Sequence, residues 1–137
     1  MQISTQLSAA AAALLLGLAG CGVAYRDAAN EFIRTQPPSA WGSQPPAGHQ
    51  EIERSFIQSR LRDPDSARFQ FSEPRRVTVA ASMSDPTVVP VWESEVLVNG
   101  KNALGGYTGF KPWSFYYSNG ALFAVESAES GRQYVKR

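Results

Sequence analysis

The chain has 137 residues, of which 43% are hydrophobic, so it is long enough for one folded domain and too apolar for a disordered protein. Its 13 basic and 12 acidic residues give a formal net charge of +1, which argues against the strong positive field of a nucleic-acid-binding protein. A single cysteine excludes an internal disulfide.

The N-terminal segment has the pattern of an export signal. An Ala- and Leu-rich apolar run extends from Leu7 to Leu18, which is shorter than the roughly 20 residues that a membrane-spanning helix needs. It leads directly into Leu18-Ala19-Gly20-Cys21. This tetrad resembles the lipobox of bacterial lipoproteins, although no Lys or Arg precedes the apolar run. The resemblance implies a signal peptide over residues 1–20 and a mature protein whose first residue, Cys21, carries a lipid.

The same resemblance implies a location in the cell envelope. In lipoproteins of bacteria with two membranes, an Asp after the lipidated cysteine favours retention in the inner membrane, whereas Gly22 occupies that position here. We therefore expect a lipid anchor at the periplasmic face of the outer membrane. The alternative is an uncleaved membrane anchor from Leu7 to Ala24, in which Cys21 has no special role.

Residues 21–48 combine the lipidated N-terminus with a predicted tether. A short helix is predicted from Tyr25 to Arg34, and the proline pairs at 37–38 and 45–46 favour stiff, extended chain. We interpret this segment as a spacer that lifts the folded domain off the membrane. A Pro-rich docking ligand is the alternative interpretation.

The folded domain is predicted over residues 49–137 and begins with a helix from His49 to Arg62. Its apolar residues recur at helical spacing and its charged residues fill the other side. Asp63-Pro64 is expected to end the helix, because the residue before a proline avoids the α conformation. We interpret His49 as an exposed residue at the helix end. The apolar face comprises Ile52, Phe56, Ile57 and Leu61, and the polar side comprises Glu51, Glu53, Arg54 and Arg60.

Beyond Pro64, apolar residues alternate with polar ones, which is the period of a β-strand. The alternation predicts about five strands, and Asn119-Gly120 between the last two predicts a tight hairpin turn. One helix followed by strands joined through short turns predicts an α+β fold, in which the helix covers one face of an antiparallel sheet. The segments with this pattern begin at Phe69, Val77, Trp92, Trp113 and Ala121.

The alternation also assigns faces to the aromatic residues. Trp113, Phe115 and Tyr117 share one face and are predicted to belong to the core, whereas Tyr116 points the other way. In the last strand, Phe123 is predicted on the face opposite Leu122 and Ala124. The alternative is an exposed aromatic strip that holds a glycan or a peptide.

Two segments, residues 61–69 and 98–113, resemble a group of small bacterial envelope proteins, many of them lipoproteins. The first reads Leu-Arg-Asp-Pro-Asp-Ser-Ala-Arg-Phe, and the second is a Gly-rich stretch that ends in Phe-Lys-Pro-Trp. The resemblance implies a shared fold and no particular activity. In the first segment, we expect Asp63 and Asp65 to shape a turn; the alternative is a carboxylate pair for metal or acid–base chemistry.

The Gly-rich segment from Asn99 to Pro112 is the candidate binding site, because loops held by a rigid sheet commonly carry binding residues. Its glycines allow either the close approach of a partner or a sharply bent structural loop. The candidate partner-binding residues are Asn99, Lys101, Asn102, Tyr107 and Lys111.

No catalytic or metal-binding pattern stands out in the sequence, so we expect no enzymatic activity, no metal and no cofactor. Glu93 and Glu95 alternate along a predicted strand about 7 Å apart, but such a pair is typical of a solvated strand face. The segment from Ser130 to Tyr134 resembles part of the bacterial C-type lysozyme inhibitors. A lysozyme-inhibitor-like function is therefore a minor alternative.

Together, these features predict a non-catalytic lipoprotein that binds a cell-envelope component as an accessory subunit of an envelope assembly. The expected partners are the membrane, through the lipid on Cys21, and an envelope protein or peptidoglycan; nucleic acid is not expected. A small cell-wall hydrolase or a peptidoglycan-binding protein is the alternative.

Overall fold

A computed structural model describes residues 21–136, without the side chains of residues 21–26 and 28. The predicted signal peptide and the Cys21 thiol therefore lie outside the described residues. Within the described part, no helix combines the length and the hydrophobicity that a membrane crossing requires.

The fold is α+β, as predicted, with a six-stranded antiparallel sheet. The sequence pattern missed the last strand, which is only four residues long and therefore too short to show alternation. Two short 3₁₀ turns lie at Pro38–Trp41 and Pro64–Ser66. The helices and strands are α1 (Cys21–Thr35), α2 (His49–Gln58), β1 (Arg68–Phe71), β2 (Arg75–Ala80), β3 (Val88–Asn99), β4 (Lys111–Ser118), β5 (Ala121–Ser127) and β6 (Gly131–Tyr134).

The long strand β3 organises the sheet. β4, β5 and β6 follow it as successive antiparallel neighbours, while β1 and β2 both pair with β3 along its other edge. β1 pairs with the end of β3 and β2 with its beginning, so the two short strands lie end to end. The Tyr134 hydroxyl at the end of β6 donates a hydrogen bond of 2.9 Å to the Ala80 carbonyl of β2. The sheet is therefore curled enough to bring its outer strands together.

Each face of the sheet carries its own apolar cluster, as the alternation predicts. On the helix-covered face, Phe115 and Tyr117 are buried, with Trp113 packed beside them. Tyr116 lies in the second cluster, on the opposite face, together with Val79, Val91 and Ala124. Tyr107 and Phe110 belong to neither cluster and are partly exposed.

The predicted alternation in the last hairpin is wrong for Phe123. The register shifts between Tyr116 and Tyr117, whose partners on β5 are Ala124 and Leu122, so β5 carries one more residue than β4 across this step. This bulge turns Phe123 towards the second cluster, where Ala124 also lies. The predicted turn itself is confirmed, with φ of +49° at Asn119 and +80° at Gly120.

The helix α2 is shorter than predicted and presents a different face. It ends at Gln58 rather than Arg62. The side-chain amide of Gln58 donates a hydrogen bond to the Pro64 carbonyl, and this bond holds the chain that follows the helix. Ile57 is fully buried, whereas Ile52, which was predicted on the apolar face, is 50% exposed. The helix is therefore rotated so that Glu53 and Ile57, one turn apart, face the sheet.

The second half of the predicted tether belongs to the folded body. Trp41 is 2% exposed, and its indole N–H donates a hydrogen bond of 2.8 Å to the Val77 carbonyl. The Gly42 carbonyl accepts a bond from the Trp92 indole, and the Ser43 amide donates to the side chain of Asn119. The body therefore begins before the predicted boundary at His49, and a spacer role for the preceding helix stays a prediction.

Candidate functional site

The loop between β3 and β4 is built around Asn102. The side-chain oxygen of Asn102 accepts hydrogen bonds from the backbone amides of Leu104 (2.9 Å) and Gly106 (3.0 Å). The backbone amide of Asn102 donates to the Gly106 carbonyl (2.8 Å). These bonds close a tight turn whose tip carries Leu104, which is 95% exposed. Asn102, predicted as a contact residue, therefore also shapes the loop.

Two other predicted contact residues are structural supports of this loop. Asn99 is buried, and its side-chain oxygen accepts a hydrogen bond of 3.0 Å from the Gly109 amide. The Tyr107 hydroxyl donates a bond of 2.8 Å to the Ser66 carbonyl, while the Arg68 guanidinium lies 4.3 Å from the centre of its ring. Neither residue lines the cleft described next, although Tyr107 forms an isolated β-bridge with Lys101, which does.

The loop forms one wall of a cleft of about 400 Å³, a volume within the range of small-ligand sites. Arg60 and Leu61, just beyond α2, form a second wall, and the β5–β6 turn from Ser127 to Ser130 forms a third. Three of the predicted residues meet here, namely Lys101, Asn102 and Lys111. The sequence interpretation missed the contributions of the helix end and the last turn, which are distant along the chain.

The cleft has an excess of positive charge. Arg60, Lys101 and Lys111 line it, against the single carboxylate of Glu129. The Lys111 ammonium lies 2.9 Å from a Glu129 oxygen in an exposed ion pair. Among the described residues, neither Arg60 nor Lys101 forms an ion pair. A cleft with two unbalanced cations favours an anionic group in its ligand.

The remaining lining is mixed. Trp113, Val98 and Leu61 supply apolar surface, while the hydroxyls of Ser127 and Ser130 lie 2.8 Å apart. Glu129, the acidic side chain of the lining, is already paired with Lys111, so no free carboxylate stands beside these hydroxyls as a general base. The arrangement is suited to holding a ligand.

A second polar group, missed by the sequence interpretation, lies between α2 and the sheet. Glu53 is 0% exposed and accepts hydrogen bonds from the hydroxyls of Tyr117 (2.9 Å) and Ser94 (3.1 Å). Burial raises the pKa of the Glu53 carboxyl above its usual value, and both hydrogen bonds oppose the rise. Burial and the neighbouring carboxylate also raise the pKa of Tyr117.

The interpretation of His49 as an exposed residue is wrong. Its ring is half-buried, meets the Tyr117 ring edge-on at 6.2 Å, and has its Nδ1 atom 3.1 Å from the Pro46 carbonyl. Its Nε2 atom is buried and finds no hydrogen-bond partner within residues 21–136. The signal that could have revealed this cluster is helical spacing, because His49, Glu53 and Ile57 recur every four residues.

The two acidic pairs singled out in the sequence lie in different environments. Asp63 and Asp65 lie at the second 3₁₀ turn, where the Ser66 hydroxyl donates to the Asp63 carbonyl. The turn is therefore present as predicted, but the Asp63 side chain makes no capping hydrogen bond. Glu93 is not solvated as expected, because it is buried and lies 2.6 Å from the Arg75 guanidinium. In the part of the chain that the structure describes, no group of three His, Cys, Asp or Glu side chains is placed to hold a metal ion.

Comparison with known proteins found no matching family model, no similar curated protein and no similar solved structure. The resemblance of residues 61–69 and 98–113 to small envelope proteins therefore stays a prediction. The first segment forms the second 3₁₀ turn and its flanks, and the second forms the cleft loop.

Proposed function

We propose that this chain is a non-catalytic, lipid-anchored binding subunit of the bacterial cell envelope, which holds another envelope protein at the cleft beside the β3–β4 loop. One observation carries the proposal. Lys101, Asn102 and Lys111, predicted as contact residues from the sequence, line a single concave site together with Arg60. Such convergence of polar groups on an apolar-walled cleft is typical of binding sites.

The chemistry of the cleft supports binding rather than catalysis. Among the described residues, the one carboxylate that lines the cleft, that of Glu129, is paired with Lys111. The Glu53 cluster contains the residue types of a catalytic site, yet Glu53 and Ser94 are fully buried beneath α2. A substrate would have to displace the helix to reach them, so their role is structural.

The anchor rests on the resemblance of residues 18–21 to a lipobox, which implies a lipid on Cys21, and on Gly22, which by the same resemblance favours the outer membrane. The order of elements supports this proposal. The helix α1 begins at Cys21, and its Phe32 packs against the buried Trp41 with ring centres 6.2 Å apart. The residues before Phe32 would therefore link the lipid to the folded body.

The proposal predicts that Asn102→Ala combined with Lys111→Ala reduces partner recovery by about tenfold or more without unfolding the domain. The first change opens the turn that shapes the loop, and the second removes a cation from the cleft. Recovery would be measured by in-cell crosslinking, affinity capture and mass spectrometry of the full chain. Thermal unfolding would check the fold.

Two control variants separate the parts of the proposal. Lys136→Ala removes a cation that does not line this cleft and should leave recovery unchanged. Cys21→Ser should release the chain from the membrane fraction. Equal recovery by the double variant and the parent would refute the loop assignment. Recovery of cell-wall fragments in place of a protein would favour the peptidoglycan-binding alternative.

A further inference from the structure

The positive charge of the cleft indicates the chemical class of its ligand. We propose that the cleft binds an acidic peptide segment of the partner, with a carboxylate held between Arg60 and Lys101. This inference rests on the proposed function, because it assigns a ligand class to the same cleft. Three features of the described residues support it: a preorganised arginine, an unpaired lysine and an internal carboxylate that competes for the site.

Arg60 is held in place before any ligand arrives. Its guanidinium lies 3.5 Å from the centre of the Phe56 ring, and one terminal nitrogen donates to the Phe56 carbonyl and to the Ser59 hydroxyl, each at 3.2 Å. A guanidinium has five N–H donors in a rigid fork, so the donors on its other two nitrogens stay free for a carboxylate. Because the side chain is already ordered, ligand binding costs less conformational entropy here than it would at an unconstrained arginine.

Lys101 is positioned by the loop itself. Its backbone forms an isolated β-bridge with Tyr107, and its ammonium lies 5.5 Å from the centre of the Tyr107 ring. The Tyr107 hydroxyl is in turn bonded to Ser66. The lysine therefore extends from an anchored position, with no carboxylate of the described chain neutralising it.

The apolar wall distinguishes a peptide from a simple anion. Trp113, Leu61 and Val98 line the cleft, and a volume of about 400 Å³ exceeds what a phosphate ion fills. A segment in which acidic residues alternate with apolar ones satisfies both parts of the lining. Its carboxylates meet the cations, and its apolar side chains cover the tryptophan.

Glu129 shows that a carboxylate suits this site. It comes from the β5–β6 turn and pairs with Lys111 at 2.9 Å, with both side chains largely exposed. An incoming acidic peptide must compete with this internal carboxylate for Lys111. Removal of the Glu129 charge therefore both frees a third cation and raises the positive potential of the cleft.

The test uses the purified full chain in an uncharged detergent and a fluorescein-labelled peptide of alternating Glu and Leu, followed by fluorescence anisotropy. The matched peptide carries Gln in place of Glu and should bind at least about tenfold more weakly. Arg60→Gln and Lys101→Gln should each weaken binding of the acidic peptide about tenfold. Lys136→Gln, with the same loss of charge outside the cleft, should leave binding unchanged.

Glu129→Gln supplies the most specific readout, because it should tighten binding of the acidic peptide by about threefold. A change of this size corresponds to the free energy of an exposed ion pair. A purely structural role for Glu129 would not produce tighter binding. Equal binding of the two peptides would overturn the proposal, as would insensitivity to both Arg60→Gln and Lys101→Gln. Displacement of the peptide by inorganic phosphate at comparable concentration would also overturn it, in favour of a simple anion site.

The outcomes separate this inference from the function on which it rests. If Asn102→Ala with Lys111→Ala abolishes partner capture while the acidic peptide fails to bind, the proposed function stands and the ligand class is wrong. If the acidic peptide binds as described while partner capture is insensitive to every cleft variant, the ligand chemistry stands and the proposed function fails.

Discussion

Replacement of Trp41 by alanine is expected to lower the free energy of unfolding by about 3–5 kcal/mol, which is a large part of the stability of a small domain. The indole is buried in the main apolar cluster and donates its N–H to the Val77 carbonyl. Its loss leaves a cavity in this cluster and removes the indole hydrogen bond to the Val77 carbonyl on β2. Urea denaturation of the full chain, followed by circular dichroism, measures the change.

Trp41→Phe is the matched variant, because it keeps an aromatic ring in the cluster and removes the indole hydrogen bond. It should cost about 1 kcal/mol for the lost hydrogen bond, plus a smaller packing term. If Trp41→Ala costs less than about 1 kcal/mol, the typical effect of an ordinary substitution, residues 39–44 do not belong to the folded body. That result would restore the predicted domain boundary at His49.

The second large effect is expected at Glu53. Glu53→Ala should destabilise the fold by roughly 2–5 kcal/mol, because it leaves the hydroxyls of Tyr117 and Ser94 without their acceptor and opens a cavity. Glu53→Gln keeps the shape and an acceptor oxygen while removing the titratable group. The pH dependence of stability then separates the two roles of the side chain.

The sign follows from the direction of the pKa shift, which is upward from 4.5 in the folded protein. As the pH rises above 4.5, the unfolded carboxyl loses its proton first, so unfolding releases a proton and is favoured by higher pH. The contribution of Glu53 to stability is therefore greatest below 4.5 and falls until the pH passes the folded pKa. Parallel urea titrations at several pH values should show this decline in the parent and a flatter profile in Glu53→Gln.

Glu51→Gln is the control for this experiment, because Glu51 is an exposed carboxylate on the same helix. Its stability should decline with rising pH as that of the parent does, because the Glu53 carboxyl is retained. Coincident profiles for the parent and Glu53→Gln would show that the Glu53 carboxyl titrates alike in the folded and unfolded states. The upward pKa shift would then be wrong.

The fold class was predictable because short-range patterns determine it. Alternation assigned Phe115 and Tyr117 to one face and Tyr116 to the other, and the Asn119-Gly120 turn joined the last long strands. The bulge at Phe123 was not predictable, since a one-residue slip leaves no mark on composition. The burial of Trp41 was also hidden, because it lies in a Pro-rich segment and its hydrogen-bond partner, Val77, is 36 residues away.

The candidate site was predictable only in part. Gly-rich composition pointed to the loop, and Lys101, Asn102 and Lys111 do line one cleft. Asn99 and Tyr107 looked the same in sequence but hold the loop in place through hydrogen bonds to Gly109 and Ser66. Arg60 and Glu129 were missed because only the tertiary fold brings the end of α2 and the last turn to the loop.

The brevity of the outer strands bears on how copies of the protein meet one another. β1 and β6 have four residues each and β2 has six, so little backbone along either edge is open to pairing with another chain. Arginines stand on these strands, and the Tyr134–Ala80 bond draws the edges together. Short, charged edges of this kind protect against edge-to-edge aggregation. Many copies crowded on one surface would therefore remain separate folded units.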